Sequence, residues 1–280
     1  MFIKQIYTSC LSQASYYVES DGESIIIDPI RDSKIYEDLV LERGSKVKYI
    51  FETHFHADFI SGHLDLKNIF NSEIVFGSEA DTNYEITKAP NNSVFNIGSI
   101  KIKVLHTPGH TPESVCYLLL DKNNNEYCVF TGDTLFIGEV GRPDLAISSS
   151  VTERHLAAQL FDSLHNILMK LSDNVIVYPA HGPGSACGKN FSNETFSTIG
   201  EQKKNNYALQ KMTKEEFVEV VLEGILAAPK YFSHDAKMNK EGYLNTSEII
   251  ERNLKKFNEA DIEKEISNGT IILDVRSGLD

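Results

Sequence analysis

The sequence predicts an α/β fold in which two mixed sheets lie between outer helices. Three observations predict it. Short β-branched or aromatic runs bounded by turn residues recur from residue 14 to residue 182. Single helical segments separate clusters of these runs, giving two strand-rich halves. The 280 residues are 41% hydrophobic and 24% charged, enough apolar material for a sizeable core in an ordinary globular balance.

The elements follow in order. Residues 14–20 (ASYYVES) and 24–29 (SIIIDP) read as strands joined by Asp21-Gly22, a tight-hairpin signal. Ser33 is the candidate N-cap of a helix running to Arg43, with Ile35, Tyr36, Leu39 and Val40 on its apolar face and Gly44 as its stop. Residues 47–53 (VKYIFET) return to strand, and a helix is expected from about Ser61 to Phe70. Strands are then expected at 73–76, 94–97, 100–106, 114–120 and 126–130, a long helix at 151–171, and a strand from 175 running into the loop at 182. Thr213 caps a further helix whose stop is Pro229. Residues 233–242 (SHDAKMNKEG) are polar and read as a linker, and two helical stretches between 248 and 266 precede a final apolar strand. The expected division is a domain at 1–236 followed by a linker and partial second domain at 237–280.

Charge and composition exclude several classes. The 27 basic and 40 acidic residues give a net charge of −13, which argues against a phosphate backbone as main partner. No run approaches the roughly 20 apolar residues that span a bilayer, and Met1 to Tyr7 is too short for a leader, so neither membrane nor nucleic acid is expected and a cytoplasmic location is. Cys10, Cys116, Cys128 and Cys187 form no C-x-x-C pair, so reduced thiols are expected.

The chemistry is concentrated in T-H-F-H-A-D at 53–58, directly after an apolar strand. Two histidines and an aspartate at alternate positions can converge on one metal. His110 in HTPGHTPES, Asp133 in FTGDTLF and His181 in YPAHGPG each follow another apolar strand, so four strand ends deliver a metal-competent side chain. This set resembles the metallo-β-lactamase superfamily and its H-x-H-x-D-H loop over about residues 1–200. The resemblance implies an αββα sandwich with a first metal at positions matching His54, His56, His110 and Asp133. It implies a second metal at those matching Asp58, the following histidine, Asp133 and His181. Here Phe59 replaces that following histidine and has no lone pair to donate, which points to one metal. His63, four residues on, is weighed as a ligand reaching back, or as a residue that caps a helix or orients a ligand. His54, His110 and Asp133 then form a two-His-one-carboxylate triad with open positions, suited to a single Fe(II); Zn held by the same three groups is the competing assignment. His56 and Asp58 would orient the ligands or hold a water.

The strings at 108–119 (PGHTPESVCYLL) and 131–145 (TGDTLFIGEVGRPDL) resemble the persulfide dioxygenase branch, the sulfur dioxygenases related to glyoxalase II. That resemblance implies one Fe(II) and conversion of glutathione persulfide and dioxygen to sulfite and glutathione, within hydrogen sulfide metabolism. Arg142 is either an anchor for a substrate carboxylate or developing sulfinate, or the salt-bridge partner of Asp144. Residues 182–190 and 197–209 resemble a bacterial subset fused to rhodanese modules, and 268–280 (NGTIILDVRSGLD) looks like the opening of a rhodanese domain. Too little of such a domain is present for sulfurtransferase activity. Cys187 is either a sulfur-accepting thiolate whose pKa Lys189 lowers, or a small buried residue between glycines. The expected partners are a small thiol persulfide and dioxygen, a rhodanese domain in full-length relatives, and a second copy, since the superfamily resemblance allows a homodimer. Two alternatives stand: a glyoxalase II-like thioester hydrolase using metal-bound hydroxide, and a non-catalytic sulfur carrier built on Cys187.

Overall fold

The computed structural model describes residues 1–147, 151–189 and 192–274. They fall into two units, Met1–Tyr243 and Leu244–Asp280. In the first unit, six strands form one sheet in chain order: β1 (Phe2–Thr8), β2 (Gln13–Ser20), β3 (Glu23–Ile27), β4 (Lys46–Phe51), β5 (Glu73–Gly77) and β6 (Thr87–Ala89). The first three pair antiparallel and the last three join parallel. The second sheet holds β7 (Val94–Ile97), β8 (Ile100–His106), β9 (Val115–Leu120), β10 (Glu126–Gly132), β11 (Ile176–Pro179) and β12 (Ser197–Thr198), with β10 and β11 its one parallel pair.

The two sheets face each other, as the sequence predicts. Tyr16, Val18, Ile25 and Ile27 meet Ile102, Val104, Tyr117 and Phe130 in the layer between them. Tyr17 and Ile26, on the opposite face, pack under α1 (Lys34–Arg43) and α2 (His63–Phe70) with Tyr36 and Leu66. Both faces of β2 and β3 are therefore buried, which is why these strands read as nearly continuous apolar runs rather than alternating ones. On the far side, α3 (Glu153–Asn166), α4 (Ile199–Asn205) and α5 (Lys214–Leu222) cover the second sheet, with Leu160, Leu164, Ile199 and Phe217 in one cluster. The result is the four-layer αββα sandwich.

Turn chemistry fixes the connections. Asp21 and Gly22 both take positive φ, 52° and 79°, the hairpin geometry that an Asp-Gly pair favours. Gly44 ends α1 at φ 61°. Ser33 does not cap that helix with its side chain; its hydroxyl donates to Glu37 instead. α3 is capped by Thr152 and ends at Asn166, short of the expected Leu171. The helix capped by Thr213 stops at Leu222 rather than near Pro229, because Gly224 takes φ 69°.

The largest difference from the sequence prediction is at 233–242. These residues form not a linker but α6 (Phe232–Glu241), whose Phe232 and Asn239 are buried in the first unit, and the unit boundary falls after Tyr243 rather than near 237. β1 is a second addition: among its apolar side chains only Ile6 is buried, the others being partly covered or exposed. In the second unit, α7 (Thr246–Asn253) and α8 (Glu259–Ser267) each begin with an asparagine capping box. Residues 271–274 form no strand; of the D-V-R string only Asp274 is described, and Asn190 of the 182–190 string also lies outside the described residues. No helix among the described residues is long and apolar enough to cross a membrane.

One side chain ties the sheets together. The Tyr16 hydroxyl on β2 donates to Pro179 O on β11 at 2.6 Å and accepts from Gln5. Tyr16→Phe leaves that buried carbonyl without its donor, so stability is expected to fall by about 1–2 kcal/mol. The urea midpoint would drop with an unchanged slope.

Candidate metal centre

Every functional side chain sits just past the end of a strand. Asp28 follows β3 at φ 49°, and Glu52, Thr53 and His54 follow β4. His110 lies in the β8–β9 loop, Asp133 directly follows β10, and His181 lies two residues beyond β11. Because the strands of the two sheets end at one edge of the sandwich, residues far apart in sequence converge there. A backbone bond from Val115 N to Thr53 O (2.9 Å) and a side-chain bond from the Tyr117 hydroxyl to Glu52 O (2.7 Å) stitch the sheets together beneath the site. Gly132 permits the close approach: at φ 52°, a Cβ on it would fall 2.5 Å from Thr53 Oγ1.

Donor atoms of His54, His110 and Asp133 all lie within 4.8 Å of one another. Asp133 Oδ2 is 3.4 Å from His110 Nε2 and 3.8 Å from His54 Nε2. The tautomers follow from the other side of each ring. The Thr53 hydroxyl donates to Asp28 Oδ2 at 2.9 Å and so accepts from His54 Nδ1–H at 2.9 Å. His110 Nδ1–H donates to Arg142 O at 2.8 Å. Both Nε2 lone pairs therefore face Asp133 Oδ2, which is buried and has no hydrogen-bond partner. Burial, together with the charge on His56, keeps the His54 pKa well below the usual imidazole value, so its ring is neutral, the form that ligates. Two imidazoles whose Nε2 atoms are turned inward and an orphaned carboxylate oxygen, all buried and convergent, fit a divalent cation.

The other predicted residues take different places. His56 turns away from this trio: its Nε2 lies 3.2 Å from Asp28 Oδ1 and 3.4 Å from Glu52 Oε2, and Phe59 packs against its ring at 4.5 Å. Burial opposes a charge on His56, but the two carboxylates outweigh it and push its pKa up to about 10. His181 bridges two acids, Nδ1 to Asp133 Oδ1 at 2.7 Å and Nε2 to Asp58 Oδ2 at 2.8 Å. Despite burial, those carboxylates hold its pKa well above the usual value, so both ring nitrogens donate. Of the four carboxylates around the site (Asp28, Glu52, Asp58 and Asp133), the imidazolium rings of His56 and His181 neutralise two.

At three positions the structure takes one of the two readings the sequence left open. His63 does not reach the trio; it opens α2, its Nδ1 lies 3.1 Å from Glu52 Oε1, and its ring stacks on Tyr84. Arg142 is not a free anchor: it grips Asp144 with two bonds of 2.7 Å and donates to Ala186 O and Leu226 O, so its guanidinium is spent on the loop. Lys189 does not activate Cys187, because its ammonium bonds Val220 O and Glu223 O. Cys187 is 1% exposed, and burial together with Asp58 and Asp133 pushes its thiol well above the usual value. Its sulfur does lie with Asp58 and His181 in a compact group. Sequence reasoning passed over Asp28 and Glu52, although an acid ending an otherwise apolar run, as in SIIIDP and YIFET, is the available signal.

A model of the metallo-β-lactamase superfamily matches residues 8–181. The chain belongs to that superfamily. Its metal-competent residues lie at the edge of the sandwich where the strands end. It is 37% identical over 172 residues to a hydroxyacylglutathione hydrolase of Dictyostelium discoideum, covering 60% of this chain and 61% of that protein. The chain thus spans about three fifths of the length of this and of a second hydroxyacylglutathione hydrolase, from Schizosaccharomyces pombe, that it matches. It is 30% identical to the mitochondrial persulfide dioxygenase ETHE1 of Bos taurus, over 71% of each chain. Among solved structures, a metallo-β-lactamase from Staphylococcus aureus superposes with a TM-score of 0.81 at 35% identity, covering 87% of this chain and 73% of that one. ETHE1 of Myxococcus xanthus superposes at 0.72 and 26% identity, over 86% and 98%.

The Thr53 hydroxyl is the tie between Asp28 and His54. Thr53→Val keeps the shape and removes the tie, so metal affinity is expected to fall about 10- to 100-fold with the fold retained. Competition titration of the apo-protein with a chromophoric chelator reads this directly.

Proposed function

We propose that the chain is an Fe(II)-dependent persulfide dioxygenase. One low-molecular-weight persulfide, one dioxygen and one water give the thiol, sulfite and two protons. The observation that carries this reading is the donor set: two histidines and one carboxylate, His54, His110 and Asp133, with the neighbouring second-site residues already paired to each other. Such a triad leaves positions open and suits non-haem iron. Bound there, Fe(II) supplies the redox chemistry that lets dioxygen react with a sulfur anion. The chain supplies geometry. Thr53 and Arg142 O hold the two imidazoles in their ligating tautomers, and His181 holds one oxygen of Asp133 so that the other faces the centre.

A cleft of about 440 Å³ opens at His110, with Phe55, Ala57 and Leu145 among its apolar walls and Lys237 and Lys240 of α6 at its rim. With Arg142 committed to Asp144, these lysines are the cations that line the cleft, alongside the acids Glu79, Asp81 and Glu113, and Lys237 also lies 3.8 Å from Glu241; Lys240 is thus the one better placed to meet the carboxylate of a carrier thiol. The kinship with ETHE1 proteins supports this reading; the higher identity to a hydroxyacylglutathione hydrolase supports thioester hydrolysis as the second one. The sulfur-carrier reading loses its basis, because a buried thiol with a raised pKa is a poor nucleophile.

The deciding measurement pairs elemental analysis of anaerobically purified protein with dioxygen uptake on addition of glutathione persulfide. About one iron per chain is expected, with uptake that disappears in His110→Ala. Two zinc per chain, no uptake and hydrolysis of a glutathione thioester would overturn the proposal.

A further inference from the structure

We propose that Asn239 is a positioning residue of the metal centre, whose carboxamide sets the path of the loop that carries His54, His56 and Asp58. This goes beyond the choice of reaction, since it concerns the centre whichever substrate is turned over. Between β4 and α2 the chain from 54 to 62 has no regular ladder, yet most of it is buried, so its backbone groups need partners from elsewhere. A single side chain provides three of them. Asn239 Nδ2 donates to His56 O and to Phe59 O, both at 2.8 Å, and Ser61 N donates to Asn239 Oδ1 at 2.9 Å. The side chain comes from more than 170 residues downstream, on α6, and is 1% exposed.

The two clamped carbonyls bracket Asp58. Its carboxylate accepts from His181 Nε2, and His181 Nδ1 in turn holds Asp133 Oδ1. A rotation of the peptides at 56 and 59 therefore swings Asp58 off His181 and releases the oxygen that keeps Asp133 Oδ2 aimed at the metal. Only a primary amide of this length offers two donors and one acceptor at that reach. Aspartate has no donor and sets a carboxylate against two carbonyls; alanine or leucine leaves three buried backbone groups unpaired. α6 is held at the same point by the Tyr84 hydroxyl, which donates to Asn239 O at 2.6 Å, and by the Tyr243 hydroxyl, which donates to Ser61 O. The same helix forms the cleft wall at Ala236, Lys237 and Lys240, so this wall and the ligand loop move as one piece.

The test uses the full chain and Co(II) as probe, since its visible absorption reports ligand geometry without turnover. Asn239→Asp and Asn239→Ala are expected to bind Co(II) about 10- to 100-fold more weakly and with shifted absorption bands. Tyr84→Phe, which loosens α6 but keeps the carboxamide, is expected to leave both unchanged. Folded Asn239 variants with the wild-type spectrum and affinity would overturn the proposal, as would a Tyr84→Phe protein equally altered. A second measurement needs no variant: on loading the wild-type protein with Co(II), hydrogen exchange is expected to slow in residues 54–62 and 232–243 together. Slowing confined to 54–62 would also overturn the proposal. None of these readouts involves sulfur or dioxygen, so their failure leaves the dioxygenase reading standing, and the reverse holds.

Discussion

The centre depends on the carboxylate of Asp28. It is buried where β3 gives out, accepts Thr53 N at 2.7 Å and the Thr53 hydroxyl at 2.9 Å, and lies 3.2 Å from His56 Nε2. One group thus decides the state of two histidines. Through Thr53 it fixes the tautomer of His54, whose ring is kept neutral by burial and by the charge on His56; through direct charge it keeps His56 protonated. A buried carboxylate without such partners would be neutralised by a proton at large cost. Burial does raise the pKa of Asp28, but His56 and the Thr53 N–H oppose that rise, so the same contacts that favour its ionised form organise the metal ligands.

The trio belongs to neither sheet alone. His54 comes from the first sheet, His110 and Asp133 from the second, and their separation is set by how closely the two sheets approach. Aromatic packing between β2, β10 and β11, where Tyr16 lies 4.9 Å from Phe130 and 5.3 Å from Tyr178, holds that spacing near the edge. The buried layer between the sheets is therefore part of the metal site in an energetic sense: a change that slides one sheet past the other misplaces Asp133 Oδ2 before it unfolds anything.

What the sequence made legible was whatever repeats a local rule. Apolar runs ended by turn residues located most strands, Asp21-Gly22 located a hairpin, and a metal-competent residue at each of four strand ends located the ligands. Arg142 and Asp144, two residues apart, already suggested the pair they form. What stayed hidden depends on contacts at long range. SHDAKMNKEG is polar because α6 turns most of its surface outward; only Phe232 and Asn239 are buried, too few to mark a helix or to reveal that Asn239 serves a loop in the first quarter of the chain. The direction of His56 was hidden likewise, because it follows from Asp28 and Glu52, two acids that sit at the ends of strands rather than in the H-x-H-x-D string. Cys187 shows the same limit: a lysine two residues along suggested a lowered pKa, but the fold sends that lysine to backbone carbonyls on and after α5.

The number of cations the edge holds is tied to the protons it carries. His181 sits between Asp133 and Asp58 with both nitrogens engaged, so a second cation at Asp58 would have to displace at least one of its protons and turn that lone pair to the metal. Where the superfamily pattern has a histidine to share that load, Phe59 lies against the ring of His56 and offers nothing. Removing the proton also removes the positive charge that offsets Asp58, so the incoming ion must replace that charge as well as find ligands. Phe59 and the double engagement of His181 therefore act in the same direction: each takes a ligand away from a cation at Asp58, while His54, His110 and Asp133 keep their donor atoms converging on one point.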